Sequence, residues 1–372
     1  MALTNNKTNT SFDLRTSRGQ RSASFRFKLI NGVTNQPLRD LTPLRDSVPT
    51  LSHDASRTIP RTLDIALGPD DTANINTLNN RVLLYMIIDG VEWPLGRYMF
   101  VNNPRQKYSF GTTSSVSLTD EMFIVDQTIE TGFSALLATS LSINGFGDMV
   151  TPLEQIDQTA RRLLAPLNIT FSIENTPYSS IGAWPVGTSR ARILGDMATD
   201  GDYFSPWINH YGVLKMIRTF DPNRVVPDFN FDDGNRIVYG SITESDNLLQ
   251  AANRIIVVSN GTSSDVNAKA PIVGIYDVPP SAPHSFINRG FIIADVQTRQ
   301  IESTQQAISV ARTIGLSQTA FEFTELVTPP DPRHDSYDVI RWDNKLWLER
   351  SWSMELIEGG TMQHSLQRMY TS

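Results

Sequence analysis

The side chains best suited to chemistry are spread thinly along this sequence. Its five histidines stand at 53, 210, 284, 334 and 364. None is at metal-ligand spacing from another histidine or a carboxylate on a predicted helix face. His210 falls in a turn and reads as a surface or hydrogen-bonding residue. Two acidic pairs occur, Asp70-Asp71 and Asp232-Asp233, the second followed by Gly234. Glycosidase carboxylates face each other across a scissile bond. Neighbours in a turn point apart, so both pairs read as turn chemistry. The stretch from Asp228 to Gly234 lacks the spaced oxygen ligands and terminal Glu of an EF-hand. There is no G-x-S-x-G elbow, phosphate loop or dinucleotide fingerprint. With no cysteine, thiolate metal sites, disulfides and thiol nucleophiles are excluded. Trp342, Trp347 and Trp352 recur every five residues. On strands that spacing alternates faces, which suits mixed core and interface packing rather than one sugar-stacking platform. The expectation is a protein with no catalytic residues, no metal and no cofactor.

A second feature is basic. The first 28 residues carry Lys7, Arg15, Arg18, Arg21, Arg26 and Lys28 against one acid, Asp13. Asn, Thr and Ser fill the gaps, and such a segment buries too little apolar surface to offset its ordering entropy. Residues 1–24 are expected to be a flexible arm, with Lys7, Arg15, Arg18 and Arg21 as candidate docking residues for a partner. The whole chain has 372 residues and a formal net charge of −7, so no general affinity for nucleic acid is implied. Charged residues make up only 19%, a balance typical of β-rich chains with long loops. No apolar run approaches the roughly 18 residues that span a bilayer. No secretory signal is read at the N-terminus, so synthesis in a cytoplasm is expected.

The elements that must position these residues alternate in type. Ser24–Asn31 puts Phe25, Phe27 and Leu29 on one face, and Thr62–Leu67 alternates through Leu63, Ile65 and Leu67. Arg81–Ile88 and Val91–Val101 flank Asp89-Gly90, a pair suited to a type I′ hairpin turn. Tyr108–Phe123 adds one or two strands. Thr151-Pro152-Leu153-Glu154 is a capping-box pattern. It leads into a stripe of Leu153, Ile156, Ala160, Leu163 and Leu164 that Pro166 stops. After a strand over Asn168–Glu174, Thr188 is a candidate N-cap for a helix carrying Ile193, Leu194, Met197 and Ala198, with Gly201 as a left-handed C-terminal residue. Phe204–Ile208 and Val213–Phe220 then form a hairpin around Asn209-His210-Tyr211-Gly212. From about 236 the chain is β again. Ser303 caps a helix bearing Ala307, Val310, Ala311 and Ile314, with Gly315 closing it. A Pro-rich kink at Pro329-Pro330-Asp331-Pro332 and strands around an Asp343-Asn344 turn follow.

Residues 309–369 carry a capped helix, a strand, the Pro-containing loop, a Tyr337-Asp338-Val339-Ile340 strand and a long strand leading to Gly359-Gly360-Thr361-Met362. With the domain order, this layout resembles the hub proteins of bacteriophage tails and baseplates over residues 25–370. The resemblance implies an α+β, mostly β fold: two tube-like antiparallel β-barrel domains alternating with small α/β domains. The first tube-like domain would be 25–127, with 221–250 as a candidate addition, and the α/β domain 128–220. The second would combine 251–300 with 344–372, leaving 301–343 as a helix-strand insertion. The implied role is structural: a homotrimeric hub at the virion tail tip, joining a six-fold tube to the tip complex and enclosing a channel for passing DNA. Its partners would be the distal tail ring, tape measure and tip or fibre proteins. The chain stops at Ser372, where tail proteins with lysin modules continue, so no hydrolase is expected. Two alternatives stand beside this reading, a carbohydrate- or receptor-binding tail module and a peptidoglycan hydrolase with two facing carboxylates.

Overall fold

A computed structural model describes residues 23–369 apart from 73–74, 103–104, 109–110, 130–132, 135–141, 144–148, 151–154, 168, 180–182, 233–238, 245–250, 260–270, 300, 302 and 319. The candidate docking residues Lys7, Arg15, Arg18 and Arg21, the proposed capping box Thr151–Glu154, and Asp233-Gly234 lie outside the described residues.

The chain is mostly β. The first half contributes β1 (Ala23–Asn31), β2 (Pro37–Leu41), β3 (Thr50–Asp54), β4 (Arg61–Leu67), β5 (Asn80–Ile88), β6 (Val91–Phe100), β7 (Arg105–Tyr108) and β8 (Gly111–Asp120). Next come α1 (Ile156–Leu164), β9 (Thr170–Ile173), α2 (Arg190–Asp200), β10 (Trp207–Ile208) and β11 (Val213–Met216). They are followed by β12 (Phe229–Asn230), β13 (Tyr239–Glu244), β14 (Arg254–Ser259), β15 (Val273–Asp277), β16 (Ala294–Arg299) and α3 (Thr304–Gln318). The chain ends with β17 (Ala320–Thr328), β18 (Val339–Trp342), β19 (Lys345–Glu355) and β20 (Met362–Met369).

Among the described residues, one sheet joins fourteen strands, its main path running β13-β17-β20-β19-β3-β4-β8-β6-β5-β1-β2. It is antiparallel except where β12 pairs with β18. The path is open at both ends, with no closed barrel among the described residues. Alternation drives the strands: in β5 every second side chain, from Val82 to Ile88, is buried. The Asp89-Gly90 turn has φ of 49° and 78°, and Asp343-Asn344 has 53° and 55°, both pairs left-handed as a I′ turn requires.

The strand grouping differs from expectation in the second half. Residues 344–372 were grouped with 251–300, but β19 pairs with β3, setting Trp352 opposite His53 and Met354 opposite Leu51. Strands β15-β14-β16 form a sheet of their own. The reason is the cover over it: α3 buries Ala307, Val310 and Ala311 against Ile255 and Val257. Similarly, β17 is no part of an insertion, since it pairs with β13 and β20 in the large sheet.

A third unit, with β9-β11-β10 under α1 and α2, has its own core of Leu163, Ile193, Leu194, Met197 and Leu214. The expected caps shift. Helix α1 begins at Ile156, because Gln155 is extended and bridges to Ser179. Ser189 rather than Thr188 caps α2, accepting from Arg192 N at 3.2 Å. Gly201 has φ −96°, and Asp202 takes the left-handed conformation at 62°. Gly201 is needed for space, since a Cβ there would sit 2.7 Å from the Tyr203 ring. The Asp202 carboxylate then ties this unit to α3, accepting from Ser309 Oγ at 2.7 Å and from Thr313. Ser303 caps α3 as expected, accepting from Gln306 N at 3.1 Å. The helix runs through Gly315 instead of closing there; the glycine makes room for the Tyr276 ring, which would lie 2.4 Å from a Cβ.

Candidate functional site: a buried charged loop

The Pro-rich kink leads into the most unusual part of the molecule. Pro332-Arg333-His334-Asp335-Ser336-Tyr337-Asp338 is buried at every position, although four of its seven residues are ionisable acids or bases other than tyrosine. Buried charge is costly unless paired and hydrogen-bonded. Each of these side chains therefore has to meet a partner, some close by in the loop and others on distant segments.

Arg333 grips Asp331 through two nitrogens, Nη2 to Oδ2 at 2.6 Å and Nε to Oδ1 at 2.9 Å. Burial pushes the Asp331 carboxyl up, but this grip holds it below the ordinary carboxylate range. Asp335 Oδ1 accepts from Arg61 Nη2 at 2.7 Å and from Trp207 Nε1 at 2.9 Å. Arg61 is itself only 1% exposed. Ser336 Oγ lies 2.8 Å from His53 Nε2. Burial, then the Arg61 charge, lowers His53 to about 3, so this imidazole is neutral at neutral pH. Tyr337, at φ 61°, stacks on Phe204 with ring centroids 4.2 Å apart. Asp338 closes the turn, its Oδ2 accepting from Asp335 N at 2.9 Å and its carbonyl from Glu349 N at 2.8 Å.

His334 enters a second group of rings and charges. Its ring lies flat on Phe229, centroids 3.8 Å apart and 12° from parallel. Its Nδ1 is 2.9 Å from Glu349 Oε2, while His364 Nδ1 is 2.5 Å from Glu349 Oε1. His364 Nε2 is 2.8 Å from Thr328 Oγ1. All three side chains are at most 1% exposed. Burial pushes Glu349 up, but the two imidazoles outweigh it and hold the carboxyl down at about 2. Burial lowers both histidines. For His334 the Glu349 carboxylate outweighs burial and raises it, whereas for His364 burial prevails.

The loop thus collects contacts from β3–β4, the α/β unit and β17–β20, tying together all three.

The residues singled out in the sequence fare differently. The His-Glu-His cluster escaped sequence reasoning because its members are 15 residues apart on different elements. One signal was present: His364 alternates with Met362 and Leu366, on the apolar face of its strand. His210 sits in the expected turn, where Asn209 Oδ1 accepts from Val213 N at 3.0 Å, but it is buried, not at the surface. Asp71 pairs with Arg39 at 2.6 Å and accepts from Thr42 N. Asp232 pairs with Arg341 at 2.9 Å and accepts from Asn344 N. Both act as turn anchors. Trp347 and Trp352 are buried in different cores.

No family model matches this chain, and no curated protein matches it by sequence. Solved structures do match. The tail protein from Neisseria meningitidis MC58 superposes with a TM-score of 0.60 at 10% identity, over 93% of this chain and 97% of that one. The 43 kDa tail protein of prophage MuSo2 from Shewanella oneidensis gives 0.59 at 12%, over 93% and 98%. The fold is that of prophage tail proteins. Prophage tail protein gp18 from Listeria monocytogenes EGD-e also shares it, with 0.57 at 8%, over 93% and 95%. In each case the likeness covers 93% of this chain.

Proposed function

We propose that this chain is a structural protein of a phage tail that assembles as a homotrimeric hub at the tail tip, made in the host cytoplasm. The observation that carries the reading is the tail-protein fold along nearly the whole chain. In this reading the two arms of the large sheet, β1–β8 and β13 with β17–β20, serve as the two tube-like domains. Three chains then present six such units to a six-fold tube, and DNA passes through the channel without sequence-specific contacts. Neighbouring tail proteins are the partners: the distal ring, the tape measure and the tip or fibre proteins.

The surface supports assembly. The face of β15-β14-β16 away from α3 carries Ile275, Ile256 and Val296 in one cross-strand row. Val296 is 60% exposed and Ile275 48%, and Phe286, Ile287 and Phe291 are exposed in the segment joining β15 to β16. Clustered exposed apolar residues mark interaction surfaces. A structural rather than catalytic role fits the places of the candidates considered for hydrolysis or sugar stacking: Asp71 and Asp232 are paired with arginines, and Trp347 and Trp352 are buried in cores. Locating the chain in an assembled particle tests the proposal. Three copies around the axis at the tip are expected, and six copies, or none in the tail, would overturn it.

A further inference from the structure

We propose that His334, Glu349 and His364 form a closed structural site for a divalent transition-metal ion, zinc being the probe of choice, with Asp338 as fourth donor. The donor atoms of the first three all lie within 4.8 Å of one another, fully buried. Asp338 Oδ2 is 3.8 Å from His334 Nδ1, and its side chain has no exposure. Two imidazole nitrogens with carboxylate oxygens are a donor set that zinc and its neighbours in the first transition row accept. A closed four-donor shell is the mark of a structural site, not a catalytic one.

The hydrogen bonds around His364 point the same way. The Thr328 hydroxyl donates to Pro329 O at 3.0 Å, which commits its proton. Its oxygen, 2.8 Å from His364 Nε2, must then accept, so the Nε2 position carries the imidazole hydrogen. A neutral His364 therefore turns the lone pair of Nδ1 toward Glu349 Oε1, 2.5 Å away. Two lone pairs at that separation repel unless a cation lies between them. A metal ion at this point uses both lone pairs. The Nε2–H to Thr328 bond then becomes the outer contact that fixes a ligating imidazole's orientation. Around an ion with bonds of about 2.0–2.2 Å the donors would open to roughly 3.3 Å apart. The competing occupant is a second proton, making His364 an imidazolium between Glu349 and Thr328.

The three side chains are at most 1% exposed in the folded chain, so loading is expected to accompany folding. The untagged full-length chain is unfolded in guanidinium, stripped with chelator and refolded with or without zinc. Metal content is then read by mass spectrometry after gel filtration. One zinc per chain is expected, with a melting temperature several degrees above the metal-free refolded protein. Cobalt in place of zinc should give a visible d–d band characteristic of nitrogen and oxygen ligands. His364→Gln should lose the metal, and His284→Gln, at a histidine outside the cluster, should keep it. A wild-type chain that refolds with less than a tenth of an equivalent of zinc and an unmoved melting temperature would establish the proton as occupant and overturn the site. Full metal content in His364→Gln would overturn it equally. Should that variant not fold, the wild-type metal content and cobalt spectrum decide.

Discussion

At the scale of single residues, the pairing of buried charge dominates. Arg61 reaches Asp335 across 274 positions of sequence, and their side chains are 2% and 13% exposed. Asp335→Ala would leave the Arg61 guanidinium buried without that carboxylate. Breaking a buried pair from one side costs about 3–5 kcal/mol, so chemical denaturation should show a loss of that size, and a loss under 1 kcal/mol would mean the pair is incidental. Asp200 is a different case, a buried acid held by distance-limited attraction rather than a direct grip. Burial raises it to about 7, with Arg299 opposing. Its folded-state affinity for a proton exceeds the unfolded one. Stability from this group is therefore full below the ordinary carboxylate range near pH 4 and falls as pH rises through about 7. Asp200→Asn should accordingly raise the melting temperature at pH 8 and much less at pH 4 in scanning calorimetry. Equal shifts at both pH values would contradict this assignment.

At the scale of elements, glycines report how closely pieces pack. Gly274 on β15 faces α3 so tightly that a Cβ would lie 2.2 Å from the Ala307 backbone. Gly195 inside α2 has nothing within 4 Å of its would-be Cβ. Gly274→Ala should destabilise by about 1–3 kcal/mol through overpacking, while Gly195→Ala should stabilise by roughly 0.5–1 kcal/mol through helix propensity. Opposite signs in one denaturation series are the expected result, and equal signs would contradict the packing of α3 on β15. These contrasts explain what sequence could and could not disclose. The three helical stripes, the Asp89-Gly90 and Asp343-Asn344 turns and the Asn209 hairpin were legible, because local periodicity and turn chemistry dictate them. Gly315 was misread as a helix stop, because only a tertiary neighbour, Tyr276, explains a glycine in the interior of α3. The strand partners of β19 were hidden too, since its alternation fixes which face is buried but not which strand lies alongside. For the same reason the His334-Glu349-His364 cluster left no spacing signature.

At the scale of the whole molecule, the loop of residues 332–338 joins the α/β unit to both arms of the large sheet. The basic arm extends that logic outward. With Lys7, Arg15, Arg18 and Arg21, it is proposed to dock on a neighbouring tail protein through charge-assisted hydrogen bonds. Deleting residues 2–20 should leave the chain folded and its oligomer intact while impairing its joining to the rest of the tail. Normal assembly of the truncated chain would leave the arm without a docking role. The central claim is the trimer, because a ring of three is what converts two sheet arms per chain into a six-fold surface. Light scattering on the purified full-length chain, coupled to gel filtration, measures it directly. The account predicts a stable species of three times the 41.6 kDa chain mass, and a chain that stays monomeric across the accessible concentration range, or closes as a hexamer, would contradict it.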